Sequence, residues 1–240
     1  MNNQVDLIDL GKMPFKEAWD IQENLLARNI EIKISNKRNS LSQTTKNYLL
    51  IVEHPHVYTL GKSGDPKNLL LSESELKQKK IDYFPINRGG DITYHGPGQI
   101  VIYPIFDLEN FEPDLGKYLR TLEEAVILTL KEYNIDSGRI PGLTGVWLDY
   151  KNNSPNPRKI CAIGIKSSRW VTMHGLAFNI NTDLNYFDNI IPCGIDDKAV
   201  TSLANELEED LNIDEVRKKL VLQLKDLFQF EYNFAEIPVL

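Results

Sequence analysis

Apolar positions near the start of the chain recur at three- and four-residue spacing. Phe15, Ala18, Trp19, Leu25 and Leu26 follow Pro14, which suits a first helical turn, and the spacing predicts a helix over 14–29. The stretch 36–47, NKRNSLSQTTKN, has one apolar residue in twelve and reads as a mobile surface loop bracketed by strands. The apolar run Tyr48–Val52 suits a buried strand, Val57–Leu60 follows the turn-forming Pro55 and stops at Gly61, and residues 73–80 suit a short exposed helix. Residues 100–106 alternate in the β manner up to Pro104, whose missing N–H favours a sheet edge or a strand end. Leu115, Leu119, Leu122, Val126 and Leu130 form one stripe, predicting the longest helix over 114–133.

From Thr144 the period changes. Gly145–Leu148, the polar turn 152–157, Lys159–Lys166 and Trp170–Ile180 predict a meander of antiparallel strands. Helical spacing returns at Val216, Leu220, Leu224, Leu227 and Phe228, within 212–229, with a short strand after it. Helices and antiparallel strands interleave without a βαβ rhythm or an internal repeat, so the class is α+β: a mixed or antiparallel sheet with flanking helices.

The 240 residues are 42% hydrophobic and 25% charged, which rules out disorder as the main state and allows one large domain or two small ones. No run of ~18 apolar residues and no signal-peptide pattern occurs, so a cytoplasmic protein is expected. The net charge of −7, without a basic stripe, argues against nucleic acid. Arg158, Lys159, Lys166 and Arg169 can still form a local patch for an acidic partner. In a reducing compartment Cys161 and Cys193 are expected to be buried or reactive thiols rather than a disulfide.

Two nucleotide motifs fail on inspection. Gly61-Lys62-Ser63 lacks the earlier glycine of a phosphate loop, since His56 occupies that place, and Gly96-Pro97-Gly98 lacks the third glycine of a dinucleotide turn, since Val101 stands there. His54 and His56 have no third ligand beside them and read as turn and surface residues; no metal and no cofactor is expected.

Four stretches carry candidate chemistry. Arg88-Gly89-Gly90-Asp91-Ile92-Thr93-Tyr94-His95-Gly96-Pro97-Gly98-Gln99 interleaves glycines with polar side chains, which suits close approach of the backbone to a carbonyl, thioester or anion; a hairpin whose turns need glycine is the plainer reading. Cys193, between Pro192 and Gly194, is either a nucleophile on a fixed loop or a structural thiol. As a nucleophile it needs a cation or base nearby. In Lys159–Lys166, strand alternation puts Lys159 on one face with Cys161, Ile163 and Ile165, where a thiolate would satisfy its charge; otherwise it caps the turn in solvent with Arg158. In 172–180, Gly175 marks a bulge or a ligand contact, and His174 is a satisfied buried histidine or a base.

Together these stretches resemble the lipoyl(octanoyl) transferases, also known as octanoyl-[acyl carrier protein]:protein N-octanoyltransferases or lipoate biosynthesis protein B. The resemblance is carried by residues 88–99 with Tyr103-Pro104, by Glu53-His54-Pro55 with 58–61, by Lys159-Ile160 with 162–164, by 174–177 with Asn179, and by Pro192-Cys193-Gly194. These blocks span roughly 50–200. The resemblance implies one catalytic domain over 1–240, similar in fold to biotin- and lipoate-protein ligases. It also implies an acyltransferase carrying an octanoyl group from octanoyl-acyl carrier protein to a lysine of lipoyl domains, in 2-oxo acid dehydrogenases or the glycine cleavage H protein. It assigns Cys193 as acyl-accepting nucleophile and Lys159 as the residue that tunes it. As substrate contacts it assigns Arg88, Gly89, Gly90, Asp91, Ile92, Thr93, Tyr94 and His95, then Ala162, Ile163 and Gly164, then Gly175, Leu176 and Ala177. A monomer is expected.

A thioester exchanged for an amide runs downhill, so no ATP is called for. The small residues Ala162, Gly164, Gly175 and Ala177 would leave a slot for an alkyl chain. The alternatives are an ATP-dependent lipoate or biotin ligase of the same fold, a non-catalytic module holding a lipoyl domain or acyl carrier, and an amidotransferase working between lipoylated proteins.

Overall fold

The computed structural model describes residues 2–151, 154–191 and 199–238. In chain order the elements are β1 (Gln4–Lys12), α1 (Phe15–Asn39), β2 (Asn47–Glu53), β3 (Val57–Leu60), α2 (Glu73–Lys79), β4 (Asp82–Pro85), β5 (Ile92–His95) and β6 (Gln99–Ile105). They continue with α3 (Leu115–Lys131), β7 (Gly138–Ile140), β8 (Leu143–Leu148), β9 (Arg158–Ser168), β10 (Val171–Asn179), β11 (Ala199–Val200), α4 (Leu203–Leu207), α5 (Ile213–Phe228) and β12 (Glu231–Phe234). The large sheet runs β12-β1-β2-β6-β10-β9-β8-β7, with β11 added to β9, and a small sheet runs β4-β3-β5. β1 is parallel to both its neighbours, and β2 through β7 pair antiparallel, giving a mixed α+β sheet.

The two faces of the large sheet bury different cores. Val126 of α3 and Leu220 of α5 pack on Leu49, Ile102, Ile160, Cys161, Leu176 and Phe178 of the sheet. Leu25 of α1 packs on Leu50, Val101, Tyr103, Met173 and Ala177 of the other face. The small sheet has its own core around Tyr58, Tyr94 and Ile190.

Several expectations are corrected. The first helix continues to Asn39, ten residues past the predicted end, and is longer than α3. Its polar second half is held by tertiary ion pairs rather than an apolar stripe: Lys33 Nζ lies 2.5 Å from Asp107 and 2.9 Å from Glu109. Lys37 and Arg38 favour the negative end of the helix dipole, and Ser40 ends the helix in the left-handed region. The residual loop therefore follows a helix, not a strand, and it does bury a group, since Thr45 donates to Asp107 at 2.8 Å. β6 is central rather than at an edge. Its ladder with β10 covers only 99–102, so Pro104 lies beyond the last pair and needs no donor on that side. β1, β4, β7 and β11 are strands that the sequence pattern does not mark.

Candidate active site

The floor of the site is the β9–β10 pair. Ala162 faces Ala177 and Gly164 faces Gly175 across the ladder, which sets four of the smallest side chains side by side. The strand alternation expected for Lys159 does not hold. The register between β8 and β9 slips between the pairs Val146–Cys161 and Trp147–Lys159, an irregularity of the kind that re-aims a side chain. As a result Ile160 and Cys161 both enter the core under the helices, while Lys159 joins Ala162 and Gly164 in the wall of a cavity of about 460 Å³.

The roof is the glycine-rich loop that follows β4. Gly89 N–H donates to Ile165 O at 2.8 Å, pinning the loop to β9. A Cβ on Gly164 would come within 2.8 Å of Gly89 O and 3.0 Å of Arg88 Cδ, and one on Gly61 within 2.3 Å of Gly90 O, so glycine on both sides lets the loop close down. Arg88 is buried, and its guanidinium donates to Thr59 O at 2.7 Å and Thr59 Oγ1 at 3.0 Å. Gly175 is small for a different reason: a Cβ there would meet Ile102 O at 2.1 Å, so its absence lets β10 approach β6.

A polar relay crosses beneath this roof. The Gln99 amide N–H group donates to Asn179 Oδ1 at 2.8 Å, so its oxygen accepts from His95 Nδ1–H at 2.8 Å, and Asn179 Nδ2 donates to Thr201 O at 3.0 Å. Thr201 N–H in turn donates to Lys159 O at 2.9 Å, tying the chain after β11 to the strand that carries the lysine. Burial pushes the His95 pKa down to about 3, so its ring is neutral. His54 is buried rather than at the surface. Its Nδ1–H donates to Met13 O at 2.7 Å, Nε2 accepts from the Tyr103 hydroxyl at 2.8 Å, and burial lowers its pKa to about 4. His174 is buried but not satisfied. It sits at φ 61°, its Nε2 has no partner among the described residues, and burial takes its pKa down to about 3. Its backbone N–H donates to Gln22 Oε1 at 3.0 Å.

At the other end of the floor, Lys159 Nζ lies 4.6 Å from the centroid of the Trp147 ring, a cation–π contact. Lys159 is half-buried and does not share a solvent cap with Arg158, which donates two 2.9 Å bonds to Glu206 and also contacts Asp149. Lys166 pairs with Glu23 at 3.3 Å. Two cations of the expected basic patch are thus already paired with acids. Cys161 is fully buried, and burial pushes its thiol pKa up, so it is an inert packing group rather than a second reactive sulfur.

Of the substrate contacts expected from sequence, residues 88–93 and His95, 162–164 and 175–177 all border this one cavity, together with Lys159. Tyr94 does not: it is buried in the small-sheet core. Cys193 lies outside the described residues. The chain on either side of it is anchored, with Ile191 N–H donating to Asn68 O at 2.8 Å and Ala199-Val200 paired to Arg158-Lys159. Phe15, Trp147 and Phe187 also line the cavity. They come from α1, β8 and a 3-10 turn, and nothing in local spacing marks an aromatic as facing a cavity rather than a core. Among the described residues no group of three or more His, Cys, Asp and Glu side chains is placed to hold a metal ion, and no helix is long and apolar enough to cross a membrane.

A model of the lipoyl protein ligase A/B catalytic domain matches residues 15–225. A protein of Christiangramia forsetii named octanoyltransferase is 59% identical over 235 residues, covering 98% of this chain and all of its own. One of the same name from Bacteroides thetaiotaomicron is 48% identical over 91% of this chain and 92% of its own. Among solved structures, the bipartite lipoate protein ligase of Thermoplasma acidophilum superposes with a TM-score of 0.70 at 17% identity, over 97% of this chain and 87% of that one. The biotin protein ligase of Aquifex aeolicus superposes with a TM-score of 0.53 at 16% identity, over 93% and 70%. Both share the fold.

Proposed function

This chain belongs to the octanoyltransferases, within the lipoyl protein ligase A/B catalytic-domain family, and from that premise we propose how it moves the octanoyl group. It is an acyltransferase of protein lipoylation. The donor is octanoyl-acyl carrier protein. The Cys193 thiolate attacks the thioester carbonyl, the bond to the phosphopantetheine sulfur breaks, and the departing thiolate takes a proton from Lys159. The acceptor is the lysine of a lipoyl domain, in 2-oxo acid dehydrogenases or the glycine cleavage H protein. Its amine attacks the Cys193 thioester and gives up a proton to the now neutral Lys159, an amide forms, and the Cys193 thiolate is released. The protein acts as a cytoplasmic monomer with residues 1–240 forming one catalytic domain.

The observation that supports this reading best is the setting of Lys159. A register slip turns it out of the core into the cavity wall, at the end of the floor where β11 brings the chain back from Cys193. The alkyl chain lies along Ala162, Gly164, Gly175 and Ala177 beneath the 88–90 roof, and each methylene buried there contributes about 0.8 kcal/mol.

The test is intact-protein mass spectrometry after mixing the enzyme with octanoyl-acyl carrier protein and no acceptor. A hydroxylamine-labile octanoyl adduct is expected in the wild type and in Cys161→Ser and absent from Cys193→Ser. No adduct without ATP, with octanoylation of a lipoyl domain from ATP and free octanoate, would place the chemistry with the ligases.

A further inference from the structure

Tyr94 lies within the glycine-rich stretch yet turns away from the cavity, and its hydroxyl meets His56 Nδ1 at 2.7 Å. The other ring nitrogen, Nε2, faces the Tyr186 hydroxyl at 3.3 Å, and the His56 and Tyr186 rings stack with centroids 4.2 Å apart at 13°. Tyr94, beside His56, stacks on Tyr186 as well, 4.9 Å away at 7°. Tyr186 begins the middle of the 3-10 turn Leu184–Asn189, whose main chain is fixed from below by Tyr58, with its hydroxyl donating to Tyr186 O at 2.7 Å. Beyond the turn, Leu70 N–H donates to Asn189 O and Ile191 N–H to Asn68 O. The next residue of the turn, Phe187, packs edge-on against Tyr94 and lines the cavity.

We propose that His56 is a positioning residue: held neutral between Tyr94 and Tyr186, its ring fixes the turn that sets Phe187 in the cavity wall and carries the chain toward Cys193. Only the last clause rests on the thioester reading given above. The hydrogen bonds demand the neutral ring. Tyr94 is fully buried and its hydroxyl has no second partner among the described residues, so its proton goes to Nδ1 and Nε2 carries the ring hydrogen. A proton on Nδ1 sets two donors against each other and leaves the phenol proton buried without an acceptor. The groups facing His56 are Tyr94 on β5, Tyr186 on the turn, Asp183 at the N-cap of that turn, and Asp82 on β4, whose backbone N–H donates to His56 O. Partial burial lowers the His56 pKa from 6.5, opposed by the Asp183 charge, so the clamp releases on the acid side of that value.

The experiment measures the overall rate of octanoyl transfer from octanoyl-acyl carrier protein to a lipoyl domain from pH 5 to 8, for wild type, His56→Phe and His56→Gln. His56→Phe keeps the stack and loses both hydrogen bonds; about a tenfold fall in kcat at pH 7, with KM for the lipoyl domain unchanged, is expected. His56→Gln keeps a donor and an acceptor but cannot titrate, so it retains most of the pH 7 rate and loses an acid inflection below 6.5 that the wild type shows. A wild-type rate in His56→Phe, or a His56→Gln profile that superimposes on the wild type, overturns the proposal. Cys193→Ser, tested alongside by mass spectrometry, separates the two readings: a hydroxylamine-labile octanoyl adduct in that variant rejects the Cys193 thioester without altering what the overall rates say of His56.

Discussion

The two faces of β9 and β10 are built from alternate residues of the same two strands, yet one is a dry core and the other a site. On the helix side Cys161, Leu176 and Phe178 are fully buried against α3 and α5. On the other side Ala162, Gly164, Gly175 and Ala177 border the cavity, with a polar glycine loop closed down on Gly164 and α1 packed beside Ala177. The contrast shows that on the site side glycines exchange side-chain packing for close backbone approach, which holds the roof and the floor of the cavity together. The buried polar cost of that roof is met by a relay in which nearly every donor has one acceptor. His174 Nε2, Trp147 Nε1 and Gln22 Nε2 are exceptions, without a partner among the described residues, and His174 also sits in the left-handed region at the edge of the site.

The sharpest way to break this contrast is at Lys159. Lys159→Met should lower the rate of octanoyl transfer by about 10²–10⁴-fold while leaving the melting temperature near wild type; a change below tenfold would remove the lysine from the chemistry. Acid tests the buried histidines. His54, His95 and His174 bind protons less readily folded, with pKa values of about 4, 3 and 3, than unfolded near 6.5. Their contribution is complete above pH 6.5 and is lost as pH falls toward those values, at about 1.4 kcal/mol per pH unit for each ring, so urea midpoints should drop markedly between pH 7 and pH 5.

Smaller effects separate the two glycines. Gly175→Ala drives a Cβ against β6 and should cost about 1–3 kcal/mol of stability. Gly164→Val instead presses on the roof and the slot, and should shift relative rates from octanoyl toward hexanoyl donors; an unchanged ratio would place the slot elsewhere. Cys161→Ala, on the dry face, should cost about 1 kcal/mol and leave kcat unaltered. The weakest response is to salt. With Arg158 and Lys166 already paired, the KM for acyl carrier protein should rise only about twofold between low and physiological ionic strength.

Most strands and the helices α3 and α5 were legible because their apolar residues keep a period of two or 3.6. The second half of α1 was not, since its hold is the Lys33 ion pairs, which join positions far apart in sequence. Of the two places Pro104 suits, the strand end is the one it takes, last but one in β6 and beyond the ladder with β10, which is how a central strand accommodates it. The site segments were legible from their glycines and polar residues. The facing of Lys159 was not, because one register slip reverses strand parity. His54 and His56 read as surface residues because pairs of histidines carry no signal of the tyrosines that enclose them.

β12 pairs along the outer edge of β1, with Gln4 opposite Glu231. In chain order every other element lies between β1 and β12, so until β12 has been made that edge offers its N–H and C=O groups to any other strand. The vulnerable interval belongs to synthesis, and it closes at the end of the sheet farthest in strand order from β9, β8 and β7. A lesion in β12 should therefore lower the yield of folded enzyme long before it alters the turnover of the molecules that do fold.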